Sequence, residues 1–148
     1  MPIPSLNENG LLPAGVHDCT LAELRERFGS FRSSDQRPKL FAKLGAFVTE
    51  ASALSLVRSI LVDGSFVTAK TEPGDIDLII VLAATHDFSA DLNPAAYNVL
   101  SKRRVHRLYG FDILVAREGS EELGKWIEFF EQVRLEPGQR KGILRLVP

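Results

Sequence analysis

The stretch LVDGSFVTAKTEPGDIDLIIVL, residues 61–82, decides how this chain folds. Its apolar ends predict two buried strands, and Pro73-Gly74 between them predicts a turn. Asp75 and Asp77 stand where the second strand begins. Side chains alternate between the two faces of a strand, so these two carboxylates are expected to point the same way. Two like charges held together are costly without a cation, and a divalent metal ion is a common partner for such a pair.

Helical and strand patterns alternate on both sides of this stretch, which indicates an α/β or α+β domain with a small mixed sheet flanked by helices. The first helix has the clearest start, because Thr20 and Glu23 form a capping box. The predicted helices are residues 21–28, an amphipathic segment with apolar positions from Leu40 to Leu54, a segment from Pro94 through Val105, and one from Ser120 to near Arg134. The predicted strands are residues 57–62, 76–82, 111–115 and, at an edge, 142–147.

Length and composition limit the class of protein. With 148 residues the chain fits one domain, which we divide into an extended N-terminal arm (1–19) and a single domain (20–148). The net charge of −1 gives no overall field favouring nucleic acid or a membrane, and we expect no membrane partner. The N-terminus lacks the pattern of a signal peptide, and Cys19 is the single cysteine. We therefore expect a cytoplasmic protein in which Cys19 fills space rather than reacts.

Three acidic residues and a glycine-serine pair carry the chemistry. Gly64-Ser65 follows a buried strand, Asp75 and Asp77 begin the next, and Asp112 begins a later one. This combination resembles the nucleotidyltransferase superfamily, which has the fold of the DNA polymerase β palm. The segments LPAGVHDCTLAELRERFG and KGILRLV extend the similarity to short bacterial nucleotidyltransferase-fold proteins of unassigned function.

The resemblance implies a role for each of these residues. Gly64 would let the backbone approach a phosphate closely, and Ser65 would offer its hydroxyl and amide to that anion. The aspartates Asp75, Asp77 and Asp112 would be the catalytic residues and the ligands of Mg²⁺ or Mn²⁺. Asp112 would also act on the attacking hydroxyl.

The implied reaction moves NMP from a nucleoside triphosphate to a hydroxyl of a protein, an RNA or a small molecule, and pyrophosphate leaves. A bacterial toxin–antitoxin or defence setting follows from the resemblance alone. Because little chain follows the last helix, a second copy in a homodimer or a partner protein would help to hold the acceptor. The alternative is a catalytically silent module with the same fold that binds a nucleotide or a partner.

Lys70, Asp63 and the basic run at residues 102–107 each allow more than one interpretation. The minimal antitoxin-type nucleotidyltransferases carry arginines after Gly-Ser, whereas this chain offers Lys70 as its basic contact to a triphosphate, or as a solvated loop lysine. Asp63 is a fourth pocket carboxylate or, the interpretation we favour, a turn former. The basic run at residues 102–107 could hold phosphates, an RNA or an acidic partner, or be a solvated helix face.

Overall fold

The computed structural model describes residues 3–32, 34–133, 136 and 138–148. A single mixed five-stranded sheet organises this part of the chain. Its strands are β1 (Gly15–Asp18), β2 (Val57–Asp63), β3 (Asp77–Leu82), β4 (Asp112–Arg117) and β5 (Gly142–Leu146). Their spatial order is β1-β5-β2-β3-β4. The β1–β5 and β3–β4 pairs are parallel, and the β5–β2 and β2–β3 pairs are antiparallel.

Five α-helices in the described residues flank this sheet. They are α1 (Leu21–Phe28), α2 (Gln36–Ser52), α3 (Pro94–Leu100), α4 (Lys102–Tyr109) and α5 (Glu121–Glu131). The expected capping box is present, since the Thr20 side chain accepts from the Glu23 amide and the Glu23 side chain accepts from the Thr20 amide. The mixed α+β class predicted from the sequence is confirmed. No described helix combines the length and the apolar character needed to cross a bilayer.

The two faces of the sheet carry different parts of the core, as strand alternation requires. Ile60 and Ile80 belong to the larger cluster, which packs against α1 to α4. Leu61 and Ile79, one residue along, belong to a smaller cluster with Phe130 of α5. We call this second side of the sheet the α5 face. Among the described helices, α5 alone contributes to its core cluster.

Two predicted elements were wrong in detail. The segment from Pro94 through Val105 is two helices, because Ser101 has an extended backbone and its side chain accepts from the Arg104 amide to start α4. The C-terminal strand is not at an edge, because β5 lies between β1 and β2. The predicted arm supplies the edge strand β1 instead.

The predicted end of the last helix and the predicted Pro137-Gly138 turn each include a residue that the structure does not describe. The last helix ends at Glu131, and its expected end near Arg134 lies outside the described residues. Of the expected Pro137-Gly138 turn, Gly138 is described and has φ +87°, whereas Pro137 is not described.

Candidate functional site

A cleft of about 1060 Å³ opens where β2 ends and where β3, β4 and β5 begin. One side of it is acidic, and the other is formed by the end of α5 and the segment that follows that helix. Its lining residues are Asp63, Asp75, Asp77, Asp112, Ile113, Leu114, Phe129, Phe130, Gln132, Val133, Glu136, Gly138, Gln139, Arg140 and Lys141. The three aspartates assigned to catalysis from the sequence therefore share one cleft.

Strand register explains why Asp63, Asp77 and Asp112 are neighbours. Asp63 of β2 pairs with Asp77 of β3, and Asp77 pairs with Asp112 of β4. Adjacent strands lie about 4.7–4.9 Å apart, so the three residues form a row across the sheet. Leu61, Ile79 and Leu114 pack in the core of the α5 face, and each lies two residues along its strand from one of the three acids. Alternation therefore puts all three acids on that face.

The crowding of negative charge changes the central carboxyl group. Burial raises the pKa of Asp77 to about 6, and the charges of Asp75, Asp63 and Asp112 add to this rise. Lys141 acts in the opposite direction but does not cancel them. The Asp77 side chain thus lies where a further positive charge would be strongly favoured.

The Gly64-Ser65 loop holds Asp75, which lies just before β3. The Ser65 amide donates to Asp75 Oδ1 at 2.8 Å, and the Ser65 hydroxyl donates to the same oxygen. Burial raises the pKa of Asp75, but these hydrogen bonds and the charges of Lys141 and Lys70 together outweigh burial and hold the pKa below its ordinary value. The amide and hydroxyl that we expected to face a phosphate therefore face a carboxylate of the chain itself.

Glycine is needed at position 64. Gly64 has φ +98°, and a Cβ there would lie 2.9 Å from the Asp75 carbonyl oxygen and 3.1 Å from the Asp77 amide nitrogen. A side chain would therefore push apart the end of β2 and the start of β3. Close backbone contact between these two segments brings Ser65 and Asp75 together.

Asp112 lies at the outer rim of the cleft. Its side chain is 78% exposed, and its Oδ1 is 3.2 Å from His106 Nδ1 of α4. Within the described ranges, no group of three or more His, Cys, Asp or Glu side chains is already arranged to hold a metal ion. The acids share the cleft, but their oxygens do not yet converge on one point.

A buried arginine fixes the loop that carries Ser65. Arg37 of α2 is 1% exposed, and its guanidinium donates to four carbonyl oxygens. Its partners are Phe28 at 3.1 Å, Phe66 at 2.7 Å, Thr68 at 2.7 Å and Lys70 at 2.6 Å. Three of these carbonyls belong to residues 66–70, so α2 holds the segment directly after Ser65. Nothing in the sequence singles out Arg37, because it is one basic residue in the first turn of an amphipathic helix.

A family model described as a family of unknown function (DUF6932) matches residues 4–147. The chain belongs to the DUF6932 family. Comparison with curated proteins gives no match, and comparison with solved structures gives none either.

Two basic residues, Arg140 and Lys141, line the cleft of this DUF6932 chain, and neither is the lysine chosen from the sequence. Lys70 is exposed and is not among the lining residues. Lys141 precedes β5, and its Nζ lies 2.9 Å from Asp63 Oδ1. The sequence gives no sign of this pair, because 78 positions separate the two residues and only the pairing of β5 with β2 brings them together.

Asp63 was interpreted wrongly as a turn former. It is the last residue of β2, it is 4% exposed, and it lines the cleft. Burial raises its pKa, and Lys141 opposes that rise. One signal in the sequence was available: Asp63 continues the two-residue alternation of β2 on the face of Leu61.

The basic run at 102–107 forms α4. Arg104 is a structural residue, since its guanidinium lies 3.1 Å from Glu50 Oε2 and Glu50 also accepts from the Tyr109 hydroxyl at 2.7 Å. Lys102, Arg103, His106 and Arg107 are exposed. The run therefore combines one residue that ties α4 to α2 with an exposed basic face beside Asp112.

Cys19 is buried, and burial raises the pKa of its thiol to about 12, which agrees with a space-filling role.

Proposed function

We propose that this protein is a metal-dependent nucleotidyltransferase with a polymerase β palm-like fold, acting from a nucleoside triphosphate on a hydroxyl of a protein, an RNA or a small molecule. One observation carries the proposal: Asp63, Asp77 and Asp112 form a row across three adjacent strands, beside a loop that holds Asp75. Charge-bearing residues at one end of a sheet, below a large cleft, are suited to bind an ion and a charged ligand.

The donor chemistry fits a hard divalent cation. Carboxylate oxygens are the ligands that Mg²⁺ prefers, and the raised pKa of Asp77 reflects its burial together with the neighbouring negative charges. Asp75, Asp77 and Asp112 would hold Mg²⁺ or Mn²⁺. When bound, the ion would supply charge neutralisation for the phosphates of the substrate.

The protein's own residues would then position the reactants. The acceptor hydroxyl attacks the α-phosphate, the bond to pyrophosphate breaks, and the hydroxyl proton passes to a base. Asp112 is the candidate base, because its exposed carboxylate at the rim is open to an acceptor entering from solvent. The Gly64-Ser65 loop, held by Arg37, would keep Asp75 in place beside the metal ion.

The first test is nucleotide binding, measured by isothermal titration with Mg²⁺ and a panel of NTPs. We expect metal-dependent binding by the wild type and none by the Asp75→Asn/Asp77→Asn double variant. Asp91→Asn, which changes an exposed loop residue outside the cleft lining, is the matched control and should bind as the wild type does. Equal binding by the wild type and the double variant would refute the site.

The second test is transfer, measured with labelled NTPs and a lysate of the host organism. Asp112→Asn should keep its NTP affinity and lose transfer, because its role is toward the attacking group. Transfer at the wild-type rate would remove Asp112 from the mechanism. Binding by the wild type without labelling of any acceptor would favour the silent binding module instead.

A further inference from the structure

The Asp63–Lys141 pair differs from an ordinary ion pair. The Asp63 side chain is 6% exposed and that of Lys141 is 19% exposed, so the pair is largely removed from water. The two atoms lie 2.9 Å apart, yet Asp63 Oδ1 has no partner with hydrogen-bond geometry among the described residues. A buried carboxylate oxygen is normally hydrogen-bonded, so the contact with the ammonium leaves this oxygen short of the partners expected for it.

Lys141 is the basic residue directed at the acids of this cleft. The second basic lining residue, Arg140, lies 4.0 Å from both Glu128 and Glu131, on the side of α5. Lys141 instead contacts the first member of the row, and its charge lowers the pKa of Asp77 as well as that of Asp63. Its backbone is fixed, because its amide donates to the Glu131 carbonyl oxygen at 2.8 Å. The four methylene groups of the side chain therefore let the ammonium move among the acids while the backbone of Lys141 stays in place.

We propose that Asp63 is a fourth carboxylate ligand for the divalent cation and that Lys141 is a tethered counter-ion, which must leave Asp63 when the cation binds. This inference rests on the proposed function and extends it with two residues that the sequence resemblance did not include. The ammonium and the cation compete for the same carboxylate. A nucleoside triphosphate arriving with the cation would offer Lys141 a new anion, so the lysine would disfavour the cation alone and favour the cation with its nucleotide.

Metal binding without nucleotide tests the competition. Mn²⁺ affinity is measured by electron paramagnetic resonance for the wild type, Lys141→Met, Lys43→Met and Asp63→Asn/Lys141→Met. Loss of a unit charge a few ångströms from the ion should tighten Mn²⁺ binding roughly tenfold in Lys141→Met. Lys43→Met, the matched control, removes an exposed lysine of α2 that does not line the cleft, and it should bind as the wild type does. The double variant should lose the gain, because its fourth carboxylate is absent.

A second measurement uses the wild type and does not depend on the stability of a variant. Amine acetylation with a water-soluble reagent, followed by mass spectrometry, reports how open each lysine is. Acetylation of Lys141 should rise several-fold in saturating Mn²⁺, whereas that of Lys43, exposed on α2, should not change. Adding NTP with Mn²⁺ should lower Lys141 acetylation again as its ammonium contacts phosphate.

The outcomes separate this inference from the proposed function. If no variant binds Mn²⁺ and none binds NTP with Mn²⁺, the proposed function fails and this inference fails with it. If the wild type binds Mn²⁺ but Lys141→Met binds no more tightly, and Lys141 acetylation does not respond to Mn²⁺, the tethered counter-ion is refuted alone. If the double variant binds as tightly as Lys141→Met, Asp63 is not a ligand.

Discussion

Replacing Arg37 by methionine should destabilise the protein more than any surface substitution and should loosen the loop after Ser65. The guanidinium is 1% exposed and donates to four backbone carbonyls, so it joins α2, the end of α1 and residues 66–70. Methionine fills a similar length but donates nothing. The variant therefore keeps an apolar side chain at this position and removes the hydrogen bonds, together with the contacts of the guanidinium with the Phe28 and Phe66 rings.

The magnitude follows from the surroundings of the four carbonyls. The bonds to Phe28 and Phe66 are buried, and those to Thr68 and Lys70 are part-buried, where water can replace the lost donor. Each buried unpaired carbonyl costs about 1–3 kcal/mol. Because the variant no longer buries a charged group, part of this loss is offset. We expect a net loss of about 3 kcal/mol in the free energy of unfolding, which lowers Tm by roughly 6–12 °C in a chain of this length.

Urea unfolding followed by circular dichroism measures this loss. Arg25→Met is the matched control, because Arg25 is an exposed arginine of α1 and its replacement should change stability by about 0.5 kcal/mol or less. Amide hydrogen exchange should also be faster at residues 66–70 in Arg37→Met than in the control. An Arg37→Met protein with the stability of Arg25→Met would show that the four hydrogen bonds do not hold the loop.

The remaining predictions concern the loop glycine and the central acid. Gly64→Ala should lower stability by about 1–3 kcal/mol, because of its positive φ and its contact with the Asp75 carbonyl, whereas Gly74→Ala, with open space around its Cβ, should be nearly neutral in the same melt. Folded Asp77 keeps its proton up to about pH 6 and unfolded Asp77 loses it near pH 4, so the wild type should lose about 1–2 kcal/mol relative to Asp77→Asn as pH rises through this window. Parallel pH–stability curves in metal-free buffer would contradict the crowding of charge around Asp77.

The sequence allowed the local structure to be predicted where short-range rules apply. The capping box at Thr20 and Glu23, the strand before Gly64, and the strands that begin near Asp77 and Asp112 depend on neighbours a few residues away. Ser101 was harder to interpret, because a helix cap and a helical serine look alike in a sequence. The assignment of β5 to an edge failed for a different reason: strand order depends on pairing between distant segments.

The cleft residues likewise include some that the sequence indicated and some that only the tertiary structure showed. Asp77 and Asp112 could be selected from the sequence because each begins an apolar strand, where alternation fixes the face of a residue. Asp75 was selected with them but lies before β3, and its hydrogen bonds with Ser65 hold it. What the tertiary structure alone decided is the register that sets Asp63 beside Asp77, the approach of Lys141 to Asp63, and the burial of Arg37 against the loop. These contacts join residues 14 to 78 positions apart, and their energies depend on packing and on the exclusion of water, which exist only once the sheet has formed.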